Sequence, residues 1–400
     1  MTEEQVRASI GEWIVHATQA GSNEIEILTG VCERITEAGV SLVRASVAND
    51  LLDPTFDARG VRWIRGRGGL EEVFPRIDVA VNENWTRSPF FFLLESGEPK
   101  LRRRLDASYR RGEFPMLDGF QDEGVTDYVA LIARVGESVR LGGGEGIVAS
   151  WTTDAPDGFT DDQLKLLAGL MPALTLAFMV RTTIRVARTL LTTYLGSDAA
   201  ERVLAGNIVR GRAEPIRAVV WYSDLIGFTR ITDNVSPDVV LALLNDYAEA
   251  QVEAIEAHGG HVLKFMGDGI LAIFPNEDTS LACKRALDAA AALRQRIASL
   301  NVRRMASGLP ITDTHLALHV GELLYGNLGS PRRLDFTVLG PAVNEAARME
   351  SLCGSLEQTV IVSTAFAEAA GEARGLLVSL GRYAMKGIGR PQELFTLDSG

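Results

Sequence analysis

The chain has 400 residues, a formal net charge of −12, and 46% hydrophobic residues. This composition supplies enough apolar side chains for more than one globular core, and its acidity argues against binding to nucleic acid or to an anionic membrane surface. The three cysteines, Cys32, Cys283 and Cys353, lie far apart, so the sequence predicts neither a disulfide framework nor a zinc site.

The first part of the chain alternates helix-like and strand-like segments. Apolar residues at Ile27, Leu28, Val31 and Ile35 recur at helical spacing and predict a helix over 23–38. Five strand-like runs follow, separated by turn-forming residues: Ser41–Ala48, Val61–Ile64, Phe90–Leu94, Tyr128–Val135 and Gly146–Trp151. This order predicts an α+β domain over residues 1–160.

Residues 161–211 are predicted to form a signalling helix and linker. Leu164, Leu167 and Met171 follow each other at the spacing of a coiled-coil seam. The segment Leu166–Val180 is largely apolar, but it is shorter than the roughly 20 residues that a membrane-spanning helix needs. We therefore expect a buried or dimer-forming helix and no membrane insertion.

The beginning of the chain carries no recognisable targeting segment. Glu3 and Glu4 stand where a signal peptide would have basic residues, and no apolar run follows them. Together with the cysteine pattern, this predicts a cytoplasmic protein.

From Arg217 onward, predicted strands and helices alternate again. The predicted strands are Ala218–Tyr222, His261–Phe265, Ile270–Phe274 and Leu316–Val320, and the predicted helices are Pro237–Ala257, Leu281–Leu300 and Ala342–Cys353. Met266–Gly269 joins two of the strands as a hairpin turn. These elements predict a second α+β domain over residues 212–400.

Two carboxylates in this domain stand at predicted strand ends. Asp224 follows an apolar strand, and Asp268 lies in the hairpin turn. Alone, each is more typical of a helix cap or a turn residue. Together they suit Mg²⁺, which is usually held by one or two carboxylates and by substrate phosphates. Two such ions about 3.5–4 Å apart can activate an attacking oxygen and stabilise a leaving one.

Four segments resemble the successive signatures of the class III adenylyl and guanylyl cyclases, in the family's order and at similar spacing. They are D-L-I-G-F-T (224–229), G-G-H-V-L-K-F-M-G-D-G (259–269), H-V-G-E-L-L-Y-G-N-L-G (319–329) and G-P-A-V-N-E-A-A-R-M-E (340–350). The resemblance implies a ferredoxin-like βαββαβ catalytic domain that makes a cyclic nucleotide.

The resemblance implies a metal site and a base-binding site. Asp224, Asp268 and the backbone carbonyl of Leu225 match the ligands of two Mg²⁺ or Mn²⁺ ions per active site. Lys264 and Thr337 match the two base-selecting positions. A lysine can donate to a ring nitrogen of adenine, and a threonine hydroxyl can accept from its exocyclic amine. Guanylyl cyclases typically have glutamate and cysteine there, so ATP is the expected substrate.

The remaining catalytic roles fall on the last two segments. Asn344 and Arg348, four residues apart on a predicted helix, share one face. They match the residues that orient the ribose and stabilise charge on the α-phosphate. Lys386 matches a lysine that binds the terminal phosphates. In this family the site lies between two catalytic domains, so a chain with one such domain implies a homodimer.

Several alternatives stay open. The chain could be a guanylyl cyclase, or a catalytically inactive cyclase-like module that only binds nucleotides. The order of elements in residues 1–160 is similar to that of GAF-type sensor domains. This similarity implies a small-molecule effector, whereas a dimer scaffold without a ligand is the plainer alternative.

Overall fold

The structure is a computed structural model that describes residues 2–50, 56–75, 83–136, 146–275, 277–385 and 391–397. The chain divides into two compact units, Met1–Leu190 and Leu191–Gly400. This division falls inside the predicted signalling helix and linker. The three-part division into 1–160, 161–211 and 212–400 stays a prediction.

The N-terminal unit combines helices with one antiparallel sheet. Its helices are α1 (Glu3–Gln19), α2 (Glu24–Glu37), α3 (Glu83–Thr86), α4 (Pro89–Ser96), α5 (Pro115–Asp122) and α6 (Asp161–Leu195), the last of which continues past Leu190. Its strands are β1 (Leu42–Asp50), β2 (Phe56–Ile64), β3 (Gly68–Pro75), β4 (Lys100–Arg104), β5 (Asp127–Arg134) and β6 (Gly146–Thr153). They form a six-stranded sheet in the order β3-β2-β1-β6-β5-β4.

Both faces of this sheet are covered. On one face, α1, α2 and α6 bury a core that includes Ile14, Ile27 and Leu167 around Trp151. On the other face, α4 and α5 pack against Tyr128 and its neighbours. The predicted α+β make-up is therefore confirmed, whereas the GAF-like assignment stays a prediction.

One predicted strand is wrong. Phe90–Leu94 lies within helix α4. The Ser88 hydroxyl accepts a hydrogen bond from the backbone N–H of Phe91 at 3.1 Å, and Pro89 occupies the first turn. An N-cap serine followed by proline is a strong helix start. It outweighs the strand preference of the aromatic residues that follow.

Helix α6 is long and apolar enough to cross a membrane when judged by length and composition alone, with a mean hydropathy of 1.6 over its most apolar window. Half of that window is buried within the protein. Leu167, Leu170 and Leu174 belong to the core of the N-terminal unit. The core of the N-terminal unit therefore accounts for the buried half of this apolar window.

The C-terminal unit is built on a larger sheet. Its strands are β7 (Ala213–Leu225), β8 (His261–Met266), β9 (Gly269–Pro275), β10 (Thr314–Ser330), β11 (Arg333–Leu339), β12 (Val360–Ser363), β13 (Leu377–Tyr383) and β14 (Gln392–Leu397). Its helices are α7 (Ser197–Leu204), α8 (Phe228–Thr232), α9 (Pro237–Ala257), α10 (Thr279–Ala306), α11 (Pro341–Glu350) and α12 (Thr364–Ala369), with a 3-10 turn at Gly371–Leu376. The main path of the sheet runs β13-β14-β12-β10-β7-β9-β8, and β11 pairs with β10 beside it.

The centre of this unit has the predicted ferredoxin-like order. Strand β7 leads through α9 to the β8–β9 hairpin, which leads through α10 to β10. These four strands lie side by side as β10-β7-β9-β8, with every neighbouring pair antiparallel. The predicted βαββαβ pattern is thus present in the structure.

The two faces of the sheet carry different cores. On what we call the α9–α10 face, Trp221, Ala272 and Phe274 pack against α9 and α10. On the opposite α11 face, Val220 and Leu271 pack with residues of α7, β11 and α11. Side chains alternate along a strand. The two cores therefore indicate on which side of the sheet a candidate residue on one of these strands lies.

Candidate active site

Asp224 lies on the α11 face at the end of β7. Trp221 and Leu225 pack into the core of the α9–α10 face, whereas Val220 and Tyr222 contact the core of the opposite face. Asp224 follows Tyr222 by two residues, so alternation turns its side chain to the α11 face as well. Its carboxylate is half-buried.

The register of the sheet brings Asp268 to the same point. Ser223 pairs with Ile270 across β7 and β9, so Asp224 lies beside the hairpin turn that carries Asp268. Burial and the neighbouring Asp268 carboxylate, which is within hydrogen-bonding reach, raise the pKa of Asp224 to about 7. Glu350 adds a smaller repulsion, and the backbone N–H of Leu225 opposes the shift.

A glycine makes this close approach possible. A Cβ atom at Gly269 would lie 2.6 Å from the backbone oxygen of Ser223 and 3.2 Å from Oδ1 of Asp224. The shorter distance is a collision with backbone, which cannot move aside like a flexible side chain. Gly267, on the other side of Asp268, has a φ of 70°, a conformation that favours glycine. The glycines of the Gly-Asp-Gly sequence are therefore explained by geometry.

Buried hydrogen bonds anchor the end of β7 to helix α9. The indole Nε1 of Trp221 donates to the hydroxyl of Ser223 at 3.1 Å, and that hydroxyl donates to Oε1 of Gln251 on α9 at 2.6 Å. Beyond Leu225, the carbonyl of Ile226 accepts a bond from the Thr312 hydroxyl at 2.6 Å. These contacts fix the backbone on either side of Asp224.

The donor set fits a divalent cation. No group of three or more His, Cys, Asp or Glu side chains in the part of the chain that the structure describes is arranged to hold a metal ion. Mg²⁺ needs fewer protein ligands, because water and substrate phosphates complete its octahedron. Asp224 and Asp268 form a crowded acidic pair whose repulsion a cation would relieve. The side chain of Leu225 is buried, so only its backbone can contribute.

Lys264 reaches the α11 face because β8 contains a bulge. Val262 pairs with Ala272, and Lys264 pairs with Leu271, which leaves Leu263 as an extra residue. Ala272 belongs to the core of the α9–α10 face and Leu271 to that of the α11 face. The bulge therefore turns Lys264 to the face on which Asp224 lies, as bulges near functional sites commonly do.

The other base-selecting candidate lies on β11. Thr337 is 8% exposed and pairs with Gly326 of β10. Two residues earlier on the same strand, Asp335 accepts a hydrogen bond from the ammonium of Lys264, with Nζ 2.6 Å from Oδ2. The chain thus brings Lys264 to the strand that carries Thr337.

Asn344 and Arg348 lie on α11, which packs against β7 and β10. Ala342, Ala346 and Met349 bury one side of this helix, whereas Asn344 is exposed and Arg348 is half-buried. Within the described residues, no hydrogen bond or ion pair joins either of them to Asp224 or Asp268. Lys386, the predicted phosphate ligand, lies outside the described residues.

The sequence reasoning missed two residues near the acidic pair. Glu350 ends α11, and its pKa is raised by burial and then by Asp268. His315 lies opposite Asp224 in the β7–β10 ladder, and its Nδ1 is 3.6 Å from Oε1 of Glu350. Glu350 is the last residue of the fourth signature segment, but only the fold shows that it faces the aspartates.

A separate cavity of about 320 Å³ lies in the N-terminal unit, between α2, α6 and the edge of the sheet. Arg185 pairs with Glu24, and Arg59 pairs with Glu71. Arg181 also lines the cavity and has no ion-pair partner among the described residues. Phe178 adds an apolar wall. The cavity is therefore polar, with a net excess of positive charge.

Comparison with known proteins identifies the C-terminal half. Residues 213–399 match the family model of the adenylate and guanylate cyclase catalytic domain. The C-terminal unit contains a class III nucleotide cyclase catalytic domain. The match spans the Asp224–Asp268 pair, Lys264, β11 and α11.

Two curated adenylate cyclases are similar to this domain. "Adenylate cyclase 1" of Rhizobium meliloti (strain 1021) is 31% identical over 175 residues, which are 43% of this chain and 26% of that protein. "Adenylate cyclase" of Anabaena cylindrica is 33% identical over 150 residues, 36% of this chain and 29% of that protein. The chain thus spans less than a third of the length of either relative.

Among solved structures, a bacterial light-regulated adenylyl cyclase is 25% identical to the chain with a TM-score of 0.47, covering 57% of this chain and 63% of that one.

Proposed function

We propose that the cyclase domain converts ATP into cyclic AMP and pyrophosphate. The observation that carries the proposal is the common face of Asp224 and Lys264, with Thr337 on the strand that Lys264 contacts. A metal-binding acid and a base-reading lysine on one face suit a nucleotide substrate. Lysine and threonine suit adenine, and the similarity to two adenylate cyclases supports the same choice.

Asp224, Asp268 and the carbonyl of Leu225 are the proposed ligands of two Mg²⁺ or Mn²⁺ ions per site. When bound, such ions supply positive charge to the phosphates and lower the pKa of the ribose 3′-hydroxyl. The acidic pair, with the raised pKa of Asp224, is the feature that favours a divalent cation here.

The other residues bind and orient the substrate. Lys264 donates to a ring nitrogen of adenine, and the Thr337 hydroxyl accepts from its amine. Asn344 orients the ribose so that its 3′-oxygen attacks the α-phosphorus in line; the hydroxyl proton passes to water or to a phosphate oxygen as the bond to pyrophosphate breaks. Arg348 stabilises the charge that develops on the α-phosphate, and Lys386 binds the terminal phosphates. Such positioning and charge neutralisation account for most catalysis of phosphoryl transfer.

We further propose that the active enzyme is a homodimer with two equivalent sites. Within one chain no hydrogen bond or ion pair joins Arg348 to the aspartates in the described part of the structure, although both belong to one reaction in this proposal. A two-fold symmetric dimer would bring Asp224 of one chain to Arg348 of the other, twice.

The N-terminal unit is proposed as a GAF-like regulatory domain of a cytoplasmic enzyme that is not inserted in a membrane. Its cavity, which is lined by the guanidinium groups of Arg59, Arg181 and Arg185, suits a small anionic effector. An effector there would contact α6 directly, because Phe178, Arg181 and Arg185 all lie on that helix.

The test of the proposed function is an assay of the purified full-length protein with ATP and with GTP, each with Mg²⁺ and with Mn²⁺. We expect cyclic AMP to form in preference to cyclic GMP, and Asp224→Asn to abolish both. A preference for GTP would support the guanylate cyclase alternative. Nucleotide binding without any cyclic product would support the inactive module.

A further inference from the structure

The contact between Lys264 and Asp335 joins two strands that are not neighbours in the sheet. Strand β8 is the edge strand beyond β9, whereas β11 pairs with β10. The two residues are 71 positions apart in the chain, and their side chains are 47% and 46% exposed. Exposed ion pairs of this kind add little to stability, so the contact calls for another explanation.

The contact limits where the lysine can point. A lysine side chain on an edge strand has four rotatable bonds and loses much conformational freedom when it is held in one place. Asp335 and Thr337 are separated by one residue on β11, so their side chains lie on the same face of that strand. The bond to Asp335 therefore holds the ammonium of Lys264 on the side of β11 from which Thr337 projects.

The chemistry of the ammonium leaves it able to bind a base at the same time. Lys264 has three N–H donors, and Asp335 accepts one of them at 2.6 Å. Two donors remain for a ring nitrogen of the substrate. The carboxylate also restricts where the ammonium can lie along β11.

We infer that Asp335 is a positioning residue that sets the preference of the site for ATP over GTP by holding Lys264 in place. This inference rests on the proposed function. Guanine carries a carbonyl oxygen where adenine carries an amine. A lysine released from Asp335 can swing to donate to that oxygen, whereas a held lysine stays directed at the ring nitrogen. Specificity arises here from preventing the wrong contact as well as from making the right one.

The experiment measures kcat and KM for ATP and GTP in the full-length protein. The variants are Asp335→Asn, Asp335→Glu, Lys264→Ala and the double variant Lys264→Ala/Asp335→Asn. Asp288→Asn is the matched control, because Asp288 accepts a hydrogen bond from Lys284 at 2.7 Å on α10 and this pair is similarly exposed, at 62% and 44%. The Asp288→Asn variant thus removes a lysine–aspartate ion pair of similar exposure that does not include Lys264 or Thr337.

We expect Asp335→Asn to raise KM for ATP by about three- to tenfold, with kcat changed by less than about twofold. The ratio of kcat/KM for ATP to that for GTP should fall by a similar factor, and Asp335→Glu should recover part of it. In the Lys264→Ala background, Asp335→Asn should have no further effect, because a residue that acts through Lys264 has nothing left to position. The melting temperature should match that of Asp288→Asn.

Three results would overturn the inference. The first is an Asp335→Asn protein whose ratio of kcat/KM for ATP to that for GTP is unchanged. The second is an Asp335→Asn change that lowers kcat/KM for ATP equally in the wild-type and in the Lys264→Ala background. The third is a fall in melting temperature that Asp288→Asn does not show. Failure of the proposed function is distinguishable, because it would appear as a wild-type protein that makes no cyclic AMP or prefers GTP.

Discussion

The carboxylates of Asp224 and Asp268 lie against each other on the α11 face, and their proximity adds to burial in raising the pKa of Asp224 to about 7 from an ordinary value of 3.8. The folded protein therefore favours the protonated form of Asp224 more than the unfolded chain does. Without metal, the stability that this group contributes is fully present below about pH 3.8 and is lost as the pH rises through about 7.

The first prediction follows from this loss of stability with rising pH. In EDTA, the melting temperature of the cyclase unit should fall between pH 5.5 and pH 8, and Mg²⁺ should raise it more at pH 8, where the acidic pair is ionised. Asp224→Asn should reduce both effects, whereas Asp288→Asn, on the exposed pair of α10, should not. Differential scanning fluorimetry measures this. An equal Mg²⁺ effect at both pH values would contradict the prediction.

The second prediction concerns the glycine beside the pair. Gly269→Ala should destabilise the protein by about 1–3 kcal/mol, because the added Cβ meets the backbone oxygen of Ser223. It should also abolish the Mg²⁺-dependent rise in melting temperature. Gly375→Ala is the control, because a Cβ there would meet nothing within 4 Å. Urea unfolding gives the free energies. A Gly269→Ala protein as stable as the control would contradict the prediction, because it would mean that the turn shifts to accommodate the added Cβ atom at no cost in stability.

The third prediction concerns the buried hydrogen bonds of Ser223, the residue before Asp224. Ser223→Ala removes the acceptor of Trp221 Nε1 and the donor to Gln251, which leaves buried polar groups unpaired. We expect a loss of about 1–3 kcal/mol in the free energy of unfolding. Ser355→Ala, which removes an exposed hydrogen bond to the Leu352 carbonyl, should cost less. Equal losses in the two variants would mean that water replaces the buried partner.

The fourth prediction tests the shared site. Asp224→Ala and Arg348→Ala should each be inactive, and a mixture of the two should regain part of the activity, because one of the two sites in a mixed dimer is intact. A mixture of Asp224→Ala with Asp268→Ala should regain none, since both changes damage the same half. Differently tagged subunits show whether the dimers exchange. Exchange without recovery would rule out a site shared between chains.

The fifth prediction concerns the cavity of the N-terminal unit. A thermal-shift screen of small carboxylates and phosphates should find a ligand that raises the melting temperature of the wild type. Arg181→Ala should lower its affinity, because Arg181 lines the cavity. Arg188→Ala, on the same helix but not among the cavity-lining residues, is the control. Equal stabilisation of all three proteins would place the ligand elsewhere.

Local signals were sufficient for a large part of the fold. Helix α9 begins at Pro237 and ends at Ala257, as predicted, because proline at the start and apolar periodicity both act within the segment. Asp224 and Asp268 could also be chosen from sequence, since each stands in a short signature next to a turn. Phe90–Leu94 was misassigned because a run of aromatic residues obscured the Ser88 cap.

The remaining features depend on contacts between distant segments. Asp335 is separated from Lys264 by 71 positions, and nothing near either residue in sequence indicates that they meet. The position of Glu350 near the aspartates is likewise not predictable from sequence, because it depends on how α11 packs against β7 and β10. Charge–charge contacts across a sheet require the register of the strands, which neither composition nor periodicity supplies.

The extra residue Leu263 in β8 has a genetic consequence. If Lys264 reads the base as proposed, substrate choice depends on how the pairing of β8 accommodates this extra residue as well as on which amino acids the strand contains. Loss of the Leu263 codon would restore even alternation with Lys264 directly after Val262, which leaves the lysine opposite Leu271 on the α11 face. An in-frame deletion of Leu263 would thus keep the lysine on the face of Asp224, whereas a strand that kept Leu263 in regular pairing would place Lys264 opposite Ile270 on the α9–α10 face.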